Sequence, residues 1–222
     1  PGMTAPALMP NLSIKMESDF VPVAKLSTSY NVLVVHPSVP ANTLGELVAL
    51  LKKEPDKHTF SSGGFGTPAH LVGELFKVRT GVQVTHVPYQ QLPQAVADLV
   101  GGRNTYQFVA SLQVIDLVNT GKLRALAVTS AERVPSLPDV PSVSETVPGF
   151  ESSTWNGVGV PRNTPPEIVA RLNREINAAL ANPRIKGRFE SLGASTMVTT
   201  PEEFGRHIAS ETEKWGKVVR FL

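Results

Sequence analysis

Cysteine is absent from the 222 residues, which excludes a disulfide framework, a thiolate metal site and a cysteine nucleophile. Long apolar runs are absent too: the longest falls well short of the roughly 18 residues that a transmembrane helix needs. The first residues, PGMTAPALMPNLSIKMESDF, have neither the basic start nor the apolar stretch of a signal peptide. We therefore expect neither a membrane-spanning helix nor a leader within this chain.

The sequence also has no large excess of one sign of charge. The 21 Lys and Arg residues nearly balance the 19 Asp and Glu residues, giving a formal net charge of +2 with the basic residues scattered. This pattern contains no cluster of basic residues of the kind that binds nucleic acid, so no nucleic-acid partner is expected. The five histidines show no spacing typical of metal ligands. Neither a metal nor a cofactor is predicted.

What the sequence does contain is a regular alternation of strand-like and helix-like segments. Apolar, β-branched stretches are separated by helical patterns and fall at 30–37, 58–62, 82–89, 105–112 and 122–130. Such alternation is typical of βαβ units and a parallel sheet. Residues 30–130 are therefore predicted to form a complete five-stranded, parallel-type α/β lobe.

The rest of the chain is less regular. Residues 1–29 and 131–222 contain only two or three weak strands and a proline-rich stretch at 133–149. Capping boxes, Ser/Thr followed three residues later by Glu, predict helix starts at Thr43, Thr164 and Thr200. We expect 1–29 and 131–222 to form an incomplete α/β lobe, the partner of lobe 30–130 in a hinged binding protein.

One motif stands out, the stretch FSSGGFGTPAHLVGELF at residues 60–76. It is not a Walker loop, because no Gly-Lys-Ser/Thr follows. Gly64, Gly66 and Ala69 match the dinucleotide fingerprint G-x-G-x-x-G/A. That fingerprint expects an acidic residue about 20 positions on, and residues 75–97 contain no Asp or Glu. Nicotinamide or flavin binding is therefore disfavoured.

The same motif suits another kind of anion site. Gly63, Gly64 and Gly66 should leave backbone N–H groups approachable, and beyond Pro68 the N–H groups of Ala69 and His70 should point out of a helix N-terminus. Hydroxyl groups are added by Ser61, Ser62 and Thr67. Since the loop contains no lysine or arginine, a carboxylate suits it better than a polyphosphate. The alternative is a glycine turn that only makes a tight connection.

Other candidate residues have ordinary alternatives. Tyr89 ends a strand at the edge that faces the ligand crevice of open α/β sheets, but it could equally be a packed tyrosine. Ser111 ends the fourth strand and could simply cap the next helix. Trp155 is a core residue or an aromatic wall. An enzyme using the loop as an oxyanion or phosphate cradle would have only His70 or Tyr89 as its base.

Several segments together resemble the Bug family, the TctC-type extracytoplasmic solute receptors of tripartite tricarboxylate transporter systems. They are NVLVVHPSVPANTLGELVALLKKEP, FSSGGFGTPAHLVGELF, GVQVTHVPY, GKLRALAVTSAERVPSLPDVPSVSE and PEEFGRHIASETEKWGKVV. The resemblance implies a non-enzymatic, periplasmic, two-lobed protein with a periplasmic-binding-protein-like fold. Such a protein closes on a small organic acid and delivers it to the transporter's membrane components.

The resemblance also implies a binding site. The second-lobe loop of the family corresponds to Ser61, Ser62, Gly63, Gly64 and Thr67 with His70. Tyr89 and Gln90 stand where similar proteins contact the other end of the ligand, and Ala110 and Ser111 stand where they line the cleft. The family's usual Tyr-Lys-Gly is here Tyr89-Gln90-Gln91, and its usual Asp-Asn is Ala110-Ser111, so a cation and a carboxylate are missing.

The family's first-lobe loop, a Pro-Phe-x-x-Gly-Gly-type stretch, has no counterpart here, so the chain is expected to be N-terminally truncated relative to the family. An incomplete lobe should expose strand edges and apolar surface, which predicts self-association. The alternative function is a degenerate homologue that acts as an oligomeric interaction module with little or no ligand binding.

Overall fold

The structure, a computed structural model, describes residues 16–191 and 193–219. It divides into two compact units, Tyr30–Thr154 and the pair of segments Pro1–Ser29 with Trp155–Leu222. The first unit begins at the residue predicted for the complete lobe. It also contains residues 131–154, which the sequence predicts to belong to the other lobe. The chain after 130 packs back onto this unit: the N–H of Val128 donates to Pro141 O and that of Ser152 to Thr129 O.

The unit Tyr30–Thr154 is built on five strands with helices between them. Its strands are β1 (Phe20–Val35, which begins in the other unit), β2 (Thr59–Ser62), β3 (Thr85–Pro88), β4 (Tyr106–Ala110) and β5 (Arg124–Val128). Its helices are α2 (Leu44–Lys53), α3 (Pro68–Thr80), α4 (Leu92–Val100) and α5 (Ser111–Asn119), followed by a 3₁₀ turn at Val143–Glu145. The sheet order is β3-β2-β4-β1-β5.

The sheet is mixed, so the α/β class is confirmed but the prediction of a parallel sheet is wrong at one strand. Strand β2 is parallel to β3 and β4, whereas β1 is antiparallel to both β4 and β5. Alternation of strands and helices does not by itself fix the direction of every strand. Strand β1 lies between β4 and β5 and runs opposite to both.

Local sequence explains where the helices of this unit begin. Thr43 Oγ1 accepts from the N–H of Glu46 at 3.1 Å, while Glu46 Oε2 accepts from the N–H of Asn42 at 2.6 Å, so α2 starts as predicted at a reciprocal cap. At α3, Thr67 is the N-cap and Pro68 takes the first helical position, where its missing N–H costs nothing.

The two faces of the sheet bury different side chains. One face is aromatic: Phe60, Phe76, Tyr106, Phe108 and Phe150 are all at most 1% exposed and contact one another ring to ring. The other face is aliphatic and includes Val32, Val34, Leu99, Val109 and Val114. Helix α3 approaches the aromatic face closely, since a Cβ built on Gly73 would lie 2.3 Å from the Phe60 ring.

The second unit contains α1 (Met16–Asp19), the first part of β1, all but the first two residues of β6 (Ser153–Pro161), α6 (Pro166–Leu180), α7 (Pro183–Ser191), β7 (Ala194–Thr196) and α8 (Pro201–Val219). Strands β6 and β7 both pair with β1. Val23, Ala24 and Val169 form its buried centre. On α8, Phe204 and Trp215 are buried. Among the helices that the structure describes, none is both long and apolar enough to cross a membrane.

Candidate functional site

The candidate site lies where three parallel strands end. Strands β3, β2 and β4 are neighbours, and each leads directly into a helix, α4, α3 and α5 respectively. The loops there touch one another: a Cβ on Gly63 would lie 3.3 Å from Leu92 Cβ, and one on Gly64 would lie 3.2 Å from Tyr89 O. The carboxyl edge of such a sheet is where open α/β folds bind ligands.

The loop between β2 and α3 needs its glycines for backbone reasons. Gly64 has φ +112° and Gly66 has φ +74°, conformations that L residues with a Cβ adopt only at a cost. The turned Gly64 carbonyl accepts from Thr67 Oγ1 at 2.7 Å and from the Thr67 N–H at 3.4 Å. The loop is therefore a tight turn fixed by the residue that also caps helix α3.

Part of the predicted donor set is occupied by the protein itself. The N–H of Gly64 donates to Ser62 Oγ at 3.1 Å, and the N–H of Gly66 donates to His70 Nδ1 at 3.1 Å. The N–H of His70 donates to Thr67 Oγ1 at 3.5 Å, a long helix cap. The expectation that these three amides are free is therefore wrong, because neighbouring side chains reach them first.

Three further amides remain available. Among the residues that the structure describes, the N–H groups of Gly63, Phe65 and Ala69 have no hydrogen-bond acceptor. Ala69 lies in the first turn of α3, where the helix dipole favours negative charge. These three amides can serve as donors to an anion.

Two stacked histidines support this loop. The His70 and His86 rings lie 4.4 Å apart with 31° between their planes, and Phe65 meets both rings edge-on. Burial lowers the pKa of His86 to about 4, with His70 and Lys77 acting in the same direction. Burial also lowers the pKa of His70, against the opposing effect of Glu74. Both rings are therefore neutral at neutral pH and add no positive charge to the loop.

Ser62 and His86 would be the nearest approach to catalytic machinery here. Ser62 Oγ lies 2.7 Å from His86 Nε2, a distance typical of a nucleophile and its base. However, Ser62 is 0% exposed, and its hydroxyl also bonds both the N–H and the carbonyl of Gly64. His86 Nδ1 is buried without a partner among the described residues, so no acid orients the ring. The hydrogen bond between Ser62 and His86 therefore holds the loop in place.

The Tyr89 hydroxyl is hydrogen-bonded to side chains outside the β2–α3 loop. It donates to Asp98 Oδ2 at 2.9 Å and accepts from Asn104 Nδ2 at 2.9 Å, and Asp98 in turn pairs with Arg103. The part of Tyr89 that does reach the loop is its backbone: its carbonyl lies beside Gly64, and its N–H donates to Ser62 O at 2.9 Å. No local sequence pattern indicates this network, because Tyr89, Asp98 and Asn104 belong to different elements.

The remaining predicted residues are spread along the same edge. Gln90 is exposed at the end of β3, Ala110 is the N-cap of α5, and Ser111 is fully buried at its first position. Ser61 is also fully buried, beside Gln107 in the β2–β4 register. Within the described part of the chain, neither the Ser61 hydroxyl nor the Gln107 amide group has a hydrogen-bond partner. The direct role of all ten predicted residues in ligand binding stays a prediction.

The described residues contain no group of three or more His, Asp or Glu side chains that could hold a metal ion. What the edge of the sheet does provide is a neutral set of backbone donors on a rigid α/β scaffold. This combination is typical of a protein that binds an anionic solute.

The family model described as "Tripartite tricarboxylate transporter family receptor" (TctC) matches residues 1–222. The chain belongs to this family, which is one of solute receptors and not of enzymes. The resemblance inferred from the sequence is thereby confirmed.

Among curated proteins, the chain is 38% identical over 212 residues to the UPF0065 protein in the tcbD-tcbE intergenic region of Pseudomonas sp. strain P51, covering 95% of this chain and 63% of the relative. It is 36% identical over 215 residues to protein BugT of Bordetella pertussis strain Tohama I, covering 96% of this chain and 66% of that protein. The chain thus spans less than two thirds of the length of either relative.

Solved structures agree on the fold. Rpa4515 of R. palustris with adipate superposes with a TM-score of 0.87 at 33% identity, covering 95% of this chain and 71% of that one. MatC (Rpa3494) from Rhodopseudomonas palustris with bound malate superposes with a TM-score of 0.84 at 30% identity, covering 97% of this chain and 75% of that one. The periplasmic-binding-protein-like fold predicted from the sequence is confirmed.

Proposed function

We propose that this chain is a receptor for a small organic carboxylate, and that the carboxylate binds the turn between β2 and α3. The observation that supports this most directly is the set of backbone N–H groups at Gly63, Phe65 and Ala69, which have no acceptor among the described residues. A carboxylate can accept from several N–H groups at once, and it would take the place of solvent at the start of the helix.

The electrostatics of the turn favour a carboxylate over a more highly charged anion. Residues 61–70 contain no lysine or arginine, and burial keeps both His70 and His86 neutral. Attraction therefore comes only from N–H dipoles and the helix end. A hydrogen bond to a charged group contributes about 1.5–3 kcal/mol net, so two or three such bonds suffice for micromolar to millimolar binding.

Two relatives of known structure point to the same ligand class. Rpa4515 was solved with adipate and MatC with malate, both of which carry two carboxylates. Extended to this chain, one carboxylate would bind the β2–α3 turn. Gln90, Ala110 and Ser111 lie at the ends of neighbouring strands, where the rest of the molecule would extend.

Membership of the family supports a proposal for the role of the whole protein. We infer a periplasmic receptor whose two lobes close on the ligand and which passes it to the membrane components of a tripartite tricarboxylate transporter. Exclusion of water on closure would strengthen each charge-assisted hydrogen bond.

The test is calorimetric titration of the full chain with adipate and malate, with adipamide as a control that keeps the carbon chain but lacks the charge. The informative variant is Gly64→Ala, because a Cβ there meets Tyr89 O at 3.2 Å at φ +112° and so distorts the turn. Gly81→Ala is the matched control: it has φ +70° at the other end of α3, with nothing within 4 Å of the added Cβ.

The proposal expects binding of an acid but not of the diamide, loss of at least tenfold in affinity for Gly64→Ala, and unchanged affinity for Gly81→Ala. Equal affinities in the two variants would show that the turn is not part of the binding site. If no monocarboxylate or dicarboxylate binds, the result would favour the alternative, an interaction module that has lost ligand binding.

A further inference from the structure

Helix α7, Pro183–Ser191, borders a concave surface in the unit that contains the end of the chain. The concavity has a volume of about 420 Å³ and is lined by one polar, two basic and two apolar side chains: Asn182, Arg184, Arg188, Ile185 and Phe189. We call it the α7 groove.

The helix arranges these side chains in two rows. Arg184 and Arg188 are four residues apart, as are Ile185 and Phe189, so each pair occupies one stripe of the helix surface and the stripes are adjacent. The arginines are exposed while the apolar pair is half-buried, which makes an apolar floor below a basic rim. A Cβ on Gly187 would meet nothing within 4 Å, so the solvent side of the helix is open.

The basic rim is not neutralised by the described protein. Eight ion pairs occur among the described residues, and neither Arg184 nor Arg188 belongs to one of them. The one acidic residue of the helix, Glu190, lies two positions from Arg188 and therefore on a different face. Two arginines about one helical turn apart thus have no carboxylate partner in the described part of the chain.

We propose that the α7 groove is a docking surface for an acidic protein segment that carries a bulky apolar side chain. Guanidinium groups bind carboxylates in a two-pronged geometry, and two of them at one rim favour a segment with at least two acidic residues. The apolar side chain of the segment would cover Ile185 and Phe189. This surface lies in the unit that does not contain the β2–α3 turn, so it does not depend on the proposed ligand site.

The shape of the groove argues for a protein segment over an anionic membrane. A membrane-binding helix inserts a protruding apolar face among the lipid headgroups. Here the apolar side chains are half-buried while the arginines are exposed, and the only other cation of the helix is Lys186. A single peptide side chain can cover a half-buried apolar pair, which lacks the protruding apolar face that insertion into a bilayer requires.

The test measures binding of two labelled 12-residue peptides to the full chain by fluorescence anisotropy at low and at physiological salt. One peptide alternates Glu with Leu, and its partner replaces every Glu by Gln. The variant is Arg184→Gln with Arg188→Gln. The matched control, Lys53→Gln with Arg79→Gln, removes the same charge from exposed positions in the other unit. Phosphatidylserine vesicles are assayed in parallel.

The proposal expects the Glu peptide to bind at least tenfold more tightly than the Gln peptide, to weaken with salt, and to lose at least tenfold in affinity with the α7 variant while the control changes less than twofold. Ile185→Ala should weaken binding without altering its salt dependence. Absence of peptide binding, equal loss in variant and control, or binding to vesicles in preference to peptide would each overturn the proposal.

Discussion

Ser62 Oγ and His86 Nε2 lie 2.7 Å apart, and through this contact a strand-bound histidine fixes the turn that we propose as the carboxylate site. The same hydroxyl accepts from the N–H of Gly64, so the imidazole, the hydroxyl and the loop backbone form one chain of hydrogen bonds. Strand β3 thereby holds the loop that follows strand β2. The preorganisation of the loop depends on this link.

The first prediction concerns the removal of the hydroxyl. Ser62→Ala leaves the Gly64 N–H and His86 Nε2 without their partner in a buried environment, and an unsatisfied buried group costs about 1–3 kcal/mol. We expect the free energy of unfolding of the unit Tyr30–Thr154 to fall by about that amount in urea denaturation. Ser210→Ala, on the exposed face of α8, is the control and should change it by less than about 0.5 kcal/mol. Equal effects would show that the Ser62–His86 contact is not formed in solution.

The second prediction is a pH dependence. The pKa of His86 in the folded chain is lowered to about 4, below its ordinary value of 6.5. Between pH 4 and pH 6.5 the unfolded chain therefore binds a proton at His86 and the folded chain does not. His86 therefore stabilises the fold fully above pH 6.5, and this stabilisation is lost as the pH falls toward 4. His70, whose pKa is also lowered, faces the same ring, and Glu74 and Lys77 are the charged groups beside the pair.

Side-chain NMR of the histidines checks this directly, since the His86 resonances should titrate near pH 4. In denaturation experiments, His86→Asn should flatten the dependence of stability on pH between 4 and 6.5, whereas His36→Asn, outside the ring cluster, should leave it in place. A His86 titration near 6.5 would contradict the buried environment of the ring.

The sequence predicted the parts of this fold that local chemistry determines. Thr43 with Glu46 and Thr67 with Pro68 mark helix starts because each cap is satisfied within four residues. Thr164 does not mark one: α6 begins at Pro166, and Pro165 before it has φ −54° and ψ 137°. A residue that precedes a proline is driven out of the helical region, and this outweighs the capping box.

The donor set of the site was predicted only in part, because it depends on where side chains turn after folding. The glycines correctly indicated a turn, and the structure shows that Gly64 and Gly66 adopt positive φ there. Their amides are nevertheless occupied by Ser62 and by His70, whose ring folds back toward its own helix N-terminus. No local pattern specifies that rotamer. His86 was missed as a support for the loop because its contact with Ser62 requires the pairing of β2 with β3.

The third prediction concerns close packing in the second unit. A Cβ on Gly157 would lie 2.2 Å from the Phe204 ring and 3.0 Å from Ala24 O, so Gly157→Ala must displace the buried Phe204 ring or strand β1. Such overpacking costs about 1–3 kcal/mol. Trp155 contacts Phe204 edge-on at 5.3 Å, so its fluorescence should report the change. Gly187→Ala, in an open helical position, should instead stabilise the chain by up to about 1 kcal/mol. If both variants are equally stable, Phe204 does not pack on Gly157.

The fourth prediction is the self-association expected from the sequence. The second unit contains a largely apolar groove of about 350 Å³, and its lining includes Phe20, Trp155, Gly157, Gly159, Gly205 and Ile208. Apolar surface of this kind favours association, and the cost of leaving it in water grows with the area exposed. We expect size-exclusion chromatography with light scattering to show a mass that rises with protein concentration.

Ile208→Lys should shift the population toward the monomer, because a lysine in the lining of the groove carries charge into the contact. Ala178→Lys, at an exposed position on α6, is the control and should not change the population. A monomer at every concentration, for the unmodified chain and both variants, would show that this groove does not bind a second copy.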